Sequence, residues 1–214
     1  IKGLGDKAIE QIINNRPFNT PEELLFNEDV VYSKLNKKAL HALCLSGALD
    51  TLCDERFNGC KHFWMSCVQN KPKSVKKLLE NIKEYSNEED FSIEEKIEHV
   101  SSLTGIFPFD LVMTKALRES IKRHAVPPIG AWDKKLGVAW FVPREIIPKV
   151  TKNGKLYWIV KVIDDASSTA SIKCWGIREG DQIHLNRPYA AKLDHSEDWG
   201  FSTRSIRHTF RLLG

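Results

Sequence analysis

The chain has 214 residues, 42% of them hydrophobic and 28% charged, with a formal net charge of +4. This composition excludes disordered and collagen-like chains, and the length suits two modest domains, each with its own core. No run of about 18 apolar residues and no signal sequence occur, which predicts a soluble, intracellular protein without a membrane partner.

Charge is unevenly placed. Residues 1–130 carry 18 Lys and Arg against 19 Asp and Glu, whereas residues 131–214 carry 14 against 9. The basic excess lies in the C-terminal part and permits a polyanionic partner. The five cysteines include no C-x-x-C pair and read as cytosolic thiols. Cys53, Cys60 and Cys67 recur every seven residues, which predicts one shared helix face and packing rather than a closed zinc site, for which ligands pair closely. The first residue, Ile1, falls inside a motif, and a piece cut from a longer polypeptide is expected.

In chain order, Ala8, Ile9, Ile12 and Ile13 predict one face of a first helix, closed by Arg16-Pro17. Asn36 is the expected N-cap of a helix over 37–46, with Gly47 as its stop. Val75, Leu78, Leu79, Ile82 and Tyr85 keep amphipathic helical spacing. Ser92 and Glu95 have the spacing of a capping box, ahead of a helix with Ile93, Ile97 and Val100 on its apolar side. The run from Glu80 to Glu98 holds eight acids against two lysines, a solvated face that should stay away from nucleic acid. A further helix is expected over about 110–123, ending before Ala125-Val126-Pro127-Pro128.

After Gly130 the texture becomes β-rich. The stretch 137–150 holds many β-formers, Asn153-Gly154 is a strong hairpin signal, and 156–163 is its partner strand. Asp164 to Thr169 reads as a turn into a strand over 170–175, and further strands are expected over 182–193 and 201–212. About five strands in so short a span predict a small closed or nearly closed barrel. The expected fold is therefore α+β in two domains: an all-α helix-hairpin-helix domain, 1–124, a linker, 125–130, and an all-β, five-stranded barrel of the OB type, 131–214.

The most informative stretch is Ile1-Lys2-Gly3-Leu4-Gly5-Asp6-Lys7-Ala8, followed by Ile12-Ile13 and Arg16. Two glycines around one apolar residue allow positive φ and turn backbone N–H groups outward, while Leu4 plugs into the helices beneath. The amides of Lys2, Gly3, Leu4, Gly5 and Lys7 can then cradle a phosphate, with the charges of Lys2 and Lys7 nearby and Asp6 spent as an N-cap.

On the barrel, if Leu156, Trp158, Val160 and Val162 face inward, then Tyr157, Ile159 and Lys161 face outward. By the same rule Ser171, Lys173 and Trp175 face out and Ala170, Ile172 and Cys174 face in. Tyr157, Trp175, Lys161 and Lys173 would form a surface for stacking bases and neutralising phosphates of single strands. The opposite phase, with these aromatics in the core, is open because short strands permit a slip. Lys152 and Lys155 flank the turn and are expected at phosphates.

Phosphoryl transfer needs carboxylates that hold metal ions. Asp164-Asp165 is the only adjacent aspartate pair, and it sits where a β-turn wants such residues. No phosphate loop, H-E-x-x-H or G-x-S-x-G occurs. No catalytic residue, metal or cofactor is assigned within the chain.

Taken together, these motifs resemble the C-terminal part of the alpha subunit of bacterial and phage DNA polymerase III, the family C replicative polymerases. Ile1 to Gly5 with Arg16-Pro17-Phe18 resembles that family's hairpin opening. Leu35 to Leu40, running to Ser46-Gly47-Ala48-Leu49-Asp50, is similar to its next helix and the phrase after it. Glu98 to Phe107 resembles the stretch before the family's OB domain, with Pro108-Phe109 in place of the usual His-Pro. Ile163 to Ser168, with Ile172 and Trp175, resembles a phrase of the barrel itself.

The resemblance implies double- and single-stranded DNA as partners, other replisome subunits nearby, and the cytoplasm of a bacterial cell or phage-infected host. It also implies a parent DNA-directed DNA polymerase whose catalytic aspartates and Mg²⁺ lie in an upstream palm. It does not extend to sliding-clamp binding, because Gln69 leads into Asn70-Lys71-Pro72 and Glu88-Glu89-Asp90-Phe91 lacks the glutamine. A rival reading is a replisome protein-interaction module with incidental nucleic-acid contact. A second rival, a small nuclease or helicase accessory, needs metal-dependent turnover that these residues do not foreshadow.

Overall fold

A computed structural model describes residues 1–213. The chain divides into two compact units, Ile1–Pro108 and the residues from Phe109 onward. The division falls earlier than the sequence suggests, and Arg118 of the helix before the Pro-Pro pair is tied to Asp165 at 3.3 Å within the later unit.

The first unit is helical. Its first helix, α1 (Asp6–Asn15), follows the glycine bend, and α2 (Pro21–Leu25) is capped by Thr20, with proline at its first position, where no N–H is needed. In α3 (Lys37–Leu45), the Asn36 carboxamide accepts from the Ala39 amide at 3.0 Å, and Gly47 turns the chain out at φ 82°. Such a cap stabilises by about 1 kcal/mol.

A short α4 (Cys60–Phe63) runs into a six-residue π-helix, Trp64–Gln69. The Asn81 amide from α5 (Val75–Glu84) donates to the carbonyls of Ser66 and Asn70, at 3.0 and 2.7 Å. It thereby supplies donors to carbonyls that this wide turn leaves free. In α6 (Ile93–Thr104) the expected Ser92–Glu95 capping box is present in both directions, and Gly105 ends the helix in the left-handed conformation.

The core of this unit gathers Leu24, Leu35, Leu40, Phe63, Val68 and Leu78, each no more than 2% exposed. Two sequence expectations need correction. In α1 the buried positions are Ala8 and Gln11, while Ile9 and Ile13 are 37% and 52% exposed. The Gln11 carboxamide is drawn inward because it accepts from the Val31 amide at 2.7 Å. Likewise Cys53, Cys60 and Cys67 share no helix face: Cys53 follows the 3₁₀ turn Asp50–Leu52, Cys60 opens α4, and Cys67 lies in the π-helix. Gly59, at φ 100°, breaks the periodicity between them.

The second unit opens with α7 (Phe109–Val112) and α8 (Lys115–Arg123), two helices where one is expected. They separate because the Thr114 hydroxyl caps α8 by accepting from Leu117 at 3.2 Å. Seven strands follow: β1 (Val138–Val150), β2 (Leu156–Ile163), β3 (Thr169–Cys174), β4 (Tyr189–Lys192), β5 (Asp194–Ser196), β6 (Gly200–Thr203) and β7 (Phe210–Leu212). They form one sheet in the order β5-β6-β3-β2-β1-β4-β7, curled into a half-barrel. All neighbours are antiparallel except β3 and β6.

The curl has a local cause. β1 pairs with β4 over Val138–Phe141 and with β2 from Val142 onward, and its register against β2 shifts just after that switch, between Pro143 and Glu145. The expected closed five-stranded barrel is therefore not formed: β5 and β7 are free edges, and the run over 201–212 is broken by α9 (Ile206–Thr209) between β6 and β7. Inside the curl Phe141, Val160, Ile172 and Cys174 are completely buried, with Tyr189, Leu193, Ile206 and Phe210 around them. Burial pushes the Cys174 thiol up to about 12, so it packs as a small hydrophobe.

Candidate nucleic-acid interface

The glycine bend differs from its expected form in one respect. Gly3 has φ 86°, whereas Gly5 is extended at φ −89°, ψ 158°, and serves as N-cap of α1, the role the sequence suggests for Asp6. Lys2 donates its amide to the Leu103 carbonyl at 2.7 Å, and Leu4 donates to Ile1 at 3.4 Å. Those two amides are therefore consumed in shaping the bend, and the Leu4 side chain packs against the helical core.

The amides of Gly3, Gly5, Asp6 and Lys7 make no hydrogen bond among the described residues, and all four residues are exposed. Gly3, Gly5 and Lys7 border a cavity of about 500 Å³, closed on its other side by Ser33, Lys34, Asn36, Lys38 and Ala39 at the start of α3. Lys38 comes close enough that a Cβ placed on Gly3 would lie 3.9 Å from its Cε. Donors from the bend thus face Lys7, Lys34 and Lys38 across one cleft, an arrangement that accepts an anion without reading its sequence. Lys34 and Lys38 escape a reading confined to the glycine motif, although their flanking of the Asn36 cap was the available signal.

In the second unit, the alternation expected for β2 and β3 is realised. Val160, Val162, Ile172 and Cys174 are buried, and Tyr157 and Trp175 lie on the outer side, ring centroids 4.5 Å apart and stacked at 25°. Leu156, expected inside, is 44% exposed because it pairs with Val150 beside the turn, at the protruding tip of the hairpin. Lys152 and Lys155 are exposed at the Thr151–Lys155 turn, where Gly154 takes φ 76°.

Lys173 pairs with Ile159 in the register, and its Nζ stands 4.7 Å over the ring of Trp199. Trp199, between β5 and β6, is 68% exposed, and sequence reading missed it because it follows Glu197 and Asp198 in an apparently acidic turn. Lys161 is tied to Glu145 at 2.7 Å, which offsets its charge. The adjacent Arg144, Lys161, Thr169 and Ser171 line a further shallow cavity of this face.

Asp164 is buried as a turn-former. Its Oδ1 accepts from Ala166 and Ser168, and its Oδ2 accepts from Gly130 at 2.9 Å. Asp165 pairs with Arg118 at 3.3 Å.

Residues 1–58 match a family model described as a helix-hairpin-helix motif. The similarity covers the glycine bend, α1, α2 and α3, and supports nucleic-acid binding, DNA in particular, for the helical unit. No curated protein matches the chain. Among the described residues no helix is long and apolar enough to cross a membrane.

Proposed function

We propose that the chain is a non-catalytic DNA-holding segment of a replicative DNA polymerase of the family C type. In this reading the glycine bend grips backbone phosphates of the primer-template duplex, and the outer face of β2 and β3 holds template single strand. The observation that carries the reading is the set of unpaired, exposed amides at Gly3, Gly5 and Lys7, facing Lys34 and Lys38 across one cleft. The stacked Tyr157–Trp175 pair supports the single-strand half, since a half-buried ring pair on the outer side can still offer a π-face to any base.

Binding of a labelled blunt duplex across a salt series tests this. Affinity should fall linearly on a log–log plot, because each phosphate neutralised releases counterions. Replacing Lys7, Lys34 and Lys38 together by Ala should flatten the slope by about three. A slope unchanged by the triple variant sinks the cradle.

A further inference from the structure

A second cavity of the helical unit, of about 270 Å³, is lined by His41 and Leu45 of α3, Trp64 of the π-helix, Phe91, and His99, Ser102 and Leu103 of α6. Its aromatic walls are ordered: Trp64 and Phe91 have centroids 6.0 Å apart, and Phe91 meets His99 edge-on at 4.9 Å. The Trp64 indole N–H donates to Nδ1 of His41 at 3.0 Å. Indole is a donor only, so Nδ1 is the unprotonated nitrogen of neutral His41 and Nε2 carries the hydrogen. That N–H has no partner among the described residues.

This cavity adjoins the cradle along two elements. At 100° per residue, Lys38, His41 and Leu45 fall within a 60° arc of α3, so the helix that brings Lys38 to the bend brings His41 and Leu45 to the aromatic cavity about one and two turns later. The opposite wall is joined to the bend directly, because the Leu103 carbonyl accepts from the Lys2 amide at 2.7 Å. An anion site and an aromatic pocket with a spare donor are thus arranged in series. The ligand class with that order of chemistry is a nucleotide.

We infer that this cavity receives one unpaired nucleobase, stacked on one of the Trp64 and Phe91 rings with the other against its edge, and hydrogen-bonded by Nε2–H of His41, from a strand whose phosphate lies in the cradle. The inference rests on the cradle reading above. A paired base cannot enter, since both its faces and its pairing edge are occupied in the duplex, so the helical unit should favour a strand end or an extruded base over continuous duplex.

The test uses the full chain and three duplexes: one blunt, one carrying a single unpaired 2-aminopurine nucleotide at an end, and one with 2-aminopurine paired internally. The unpaired probe should bind about tenfold tighter than the blunt duplex and lose fluorescence on binding, as expected for one stacked base. The internal probe should bind like the blunt duplex. Phe91→Ala, and separately Trp64→Phe with its lost indole N–H, should reduce the preference while leaving blunt-duplex affinity unchanged; circular dichroism confirms that each variant is folded. Blunt-duplex binding with no preference for the unpaired end overturns the pocket and leaves the cradle standing, whereas failure to bind any of the three overturns both.

Discussion

The two units present opposite chemistries to a strand. The helical unit offers main-chain N–H groups at Gly3, Gly5, Asp6 and Lys7, fixed by a bend that Lys2 and Leu4 hold closed. The outer face of the sheet offers side chains, with the rings of Tyr157 and Trp175 stacked together and Lys173 leaning on Trp199. Backbone donors cannot be truncated, so the first surface depends on conformation. The second depends on identity and should lose its contacts ring by ring. Mutations should therefore separate the two units by mechanism as well as by location.

The largest expected effect is at Gly3. A Cβ there meets nothing closer than 3.9 Å, so the cost of Gly3→Val is conformational: a β-branched residue at φ 86° is strained by about 1–2 kcal/mol or opens the bend. Duplex affinity should fall about tenfold or more, the worth of a charge-assisted hydrogen bond, with single-strand affinity nearly unchanged. Gly5→Ala is the control. Gly5 is extended and a Cβ there meets nothing within 4 Å, so the remaining cost is that alanine is a poorer N-cap, and thermal stability should fall by no more than about 1 kcal/mol. Equal damage from both substitutions, measured by melting and duplex titration, contradicts the division of roles between the glycines.

Next in size, Tyr157→Ala and Trp175→Ala should each weaken a labelled single strand by about 1 kcal/mol, the lower bound for one stacked base, with little change in salt slope, because a stack releases no counterions. Lys173→Ala should behave differently: a smaller loss of affinity and a slope lower by about one. If Tyr157→Ala alters the salt slope and Lys173→Ala does not, the outer face is not a stacking platform. Arg56→Ala gives a smaller, purely structural effect. Its guanidinium holds Glu22 at 2.6 Å and Asp54 at 2.8 Å, and its loss should destabilise the helical unit by about 1 kcal/mol without touching the sheet.

What was legible in the sequence follows the same contrast. The bend, the Asn36 cap, the Ser92–Glu95 box and the Asn153-Gly154 turn were all readable, because each is decided by residues within a few positions of one another. The inward phase of β2 and β3 was readable for the same reason. The open sheet was not, because it depends on which distant segment takes the first part of β1, and the pairing of Val138–Phe141 with Tyr189–Lys192 leaves no periodic trace in either. The cleft's far wall was legible only in part: Lys34 and Lys38 flank the readable Asn36 cap, but Lys38 faces Gly3 only after α3 has packed. The buried Gln11 shows the same limit from the other side: its partner Val31 is twenty residues away, and no apolar spacing rule anticipates a glutamine turned inward.

The subtlest prediction concerns acid. Burial first, then the positive charges of His99 and Lys37, hold His41 below its ordinary value of 6.5. In the unfolded chain His41 titrates near that value, so on acidification the unfolded state takes up a proton that the folded state refuses. The sign follows: stability of the helical unit should be full above about pH 6.5 and fall as pH drops from there towards the lowered folded value. The Trp64 indole acts in the same direction as the burial, because its N–H needs Nδ1 of His41 as an acceptor, and an imidazolium has none to give. Urea midpoints at pH 7.5, 6.5 and 5.5 should decline in the parent and decline less in His41→Gln, which removes that titration. An identical decline in both places the acid sensitivity at another group and leaves His41 a spectator.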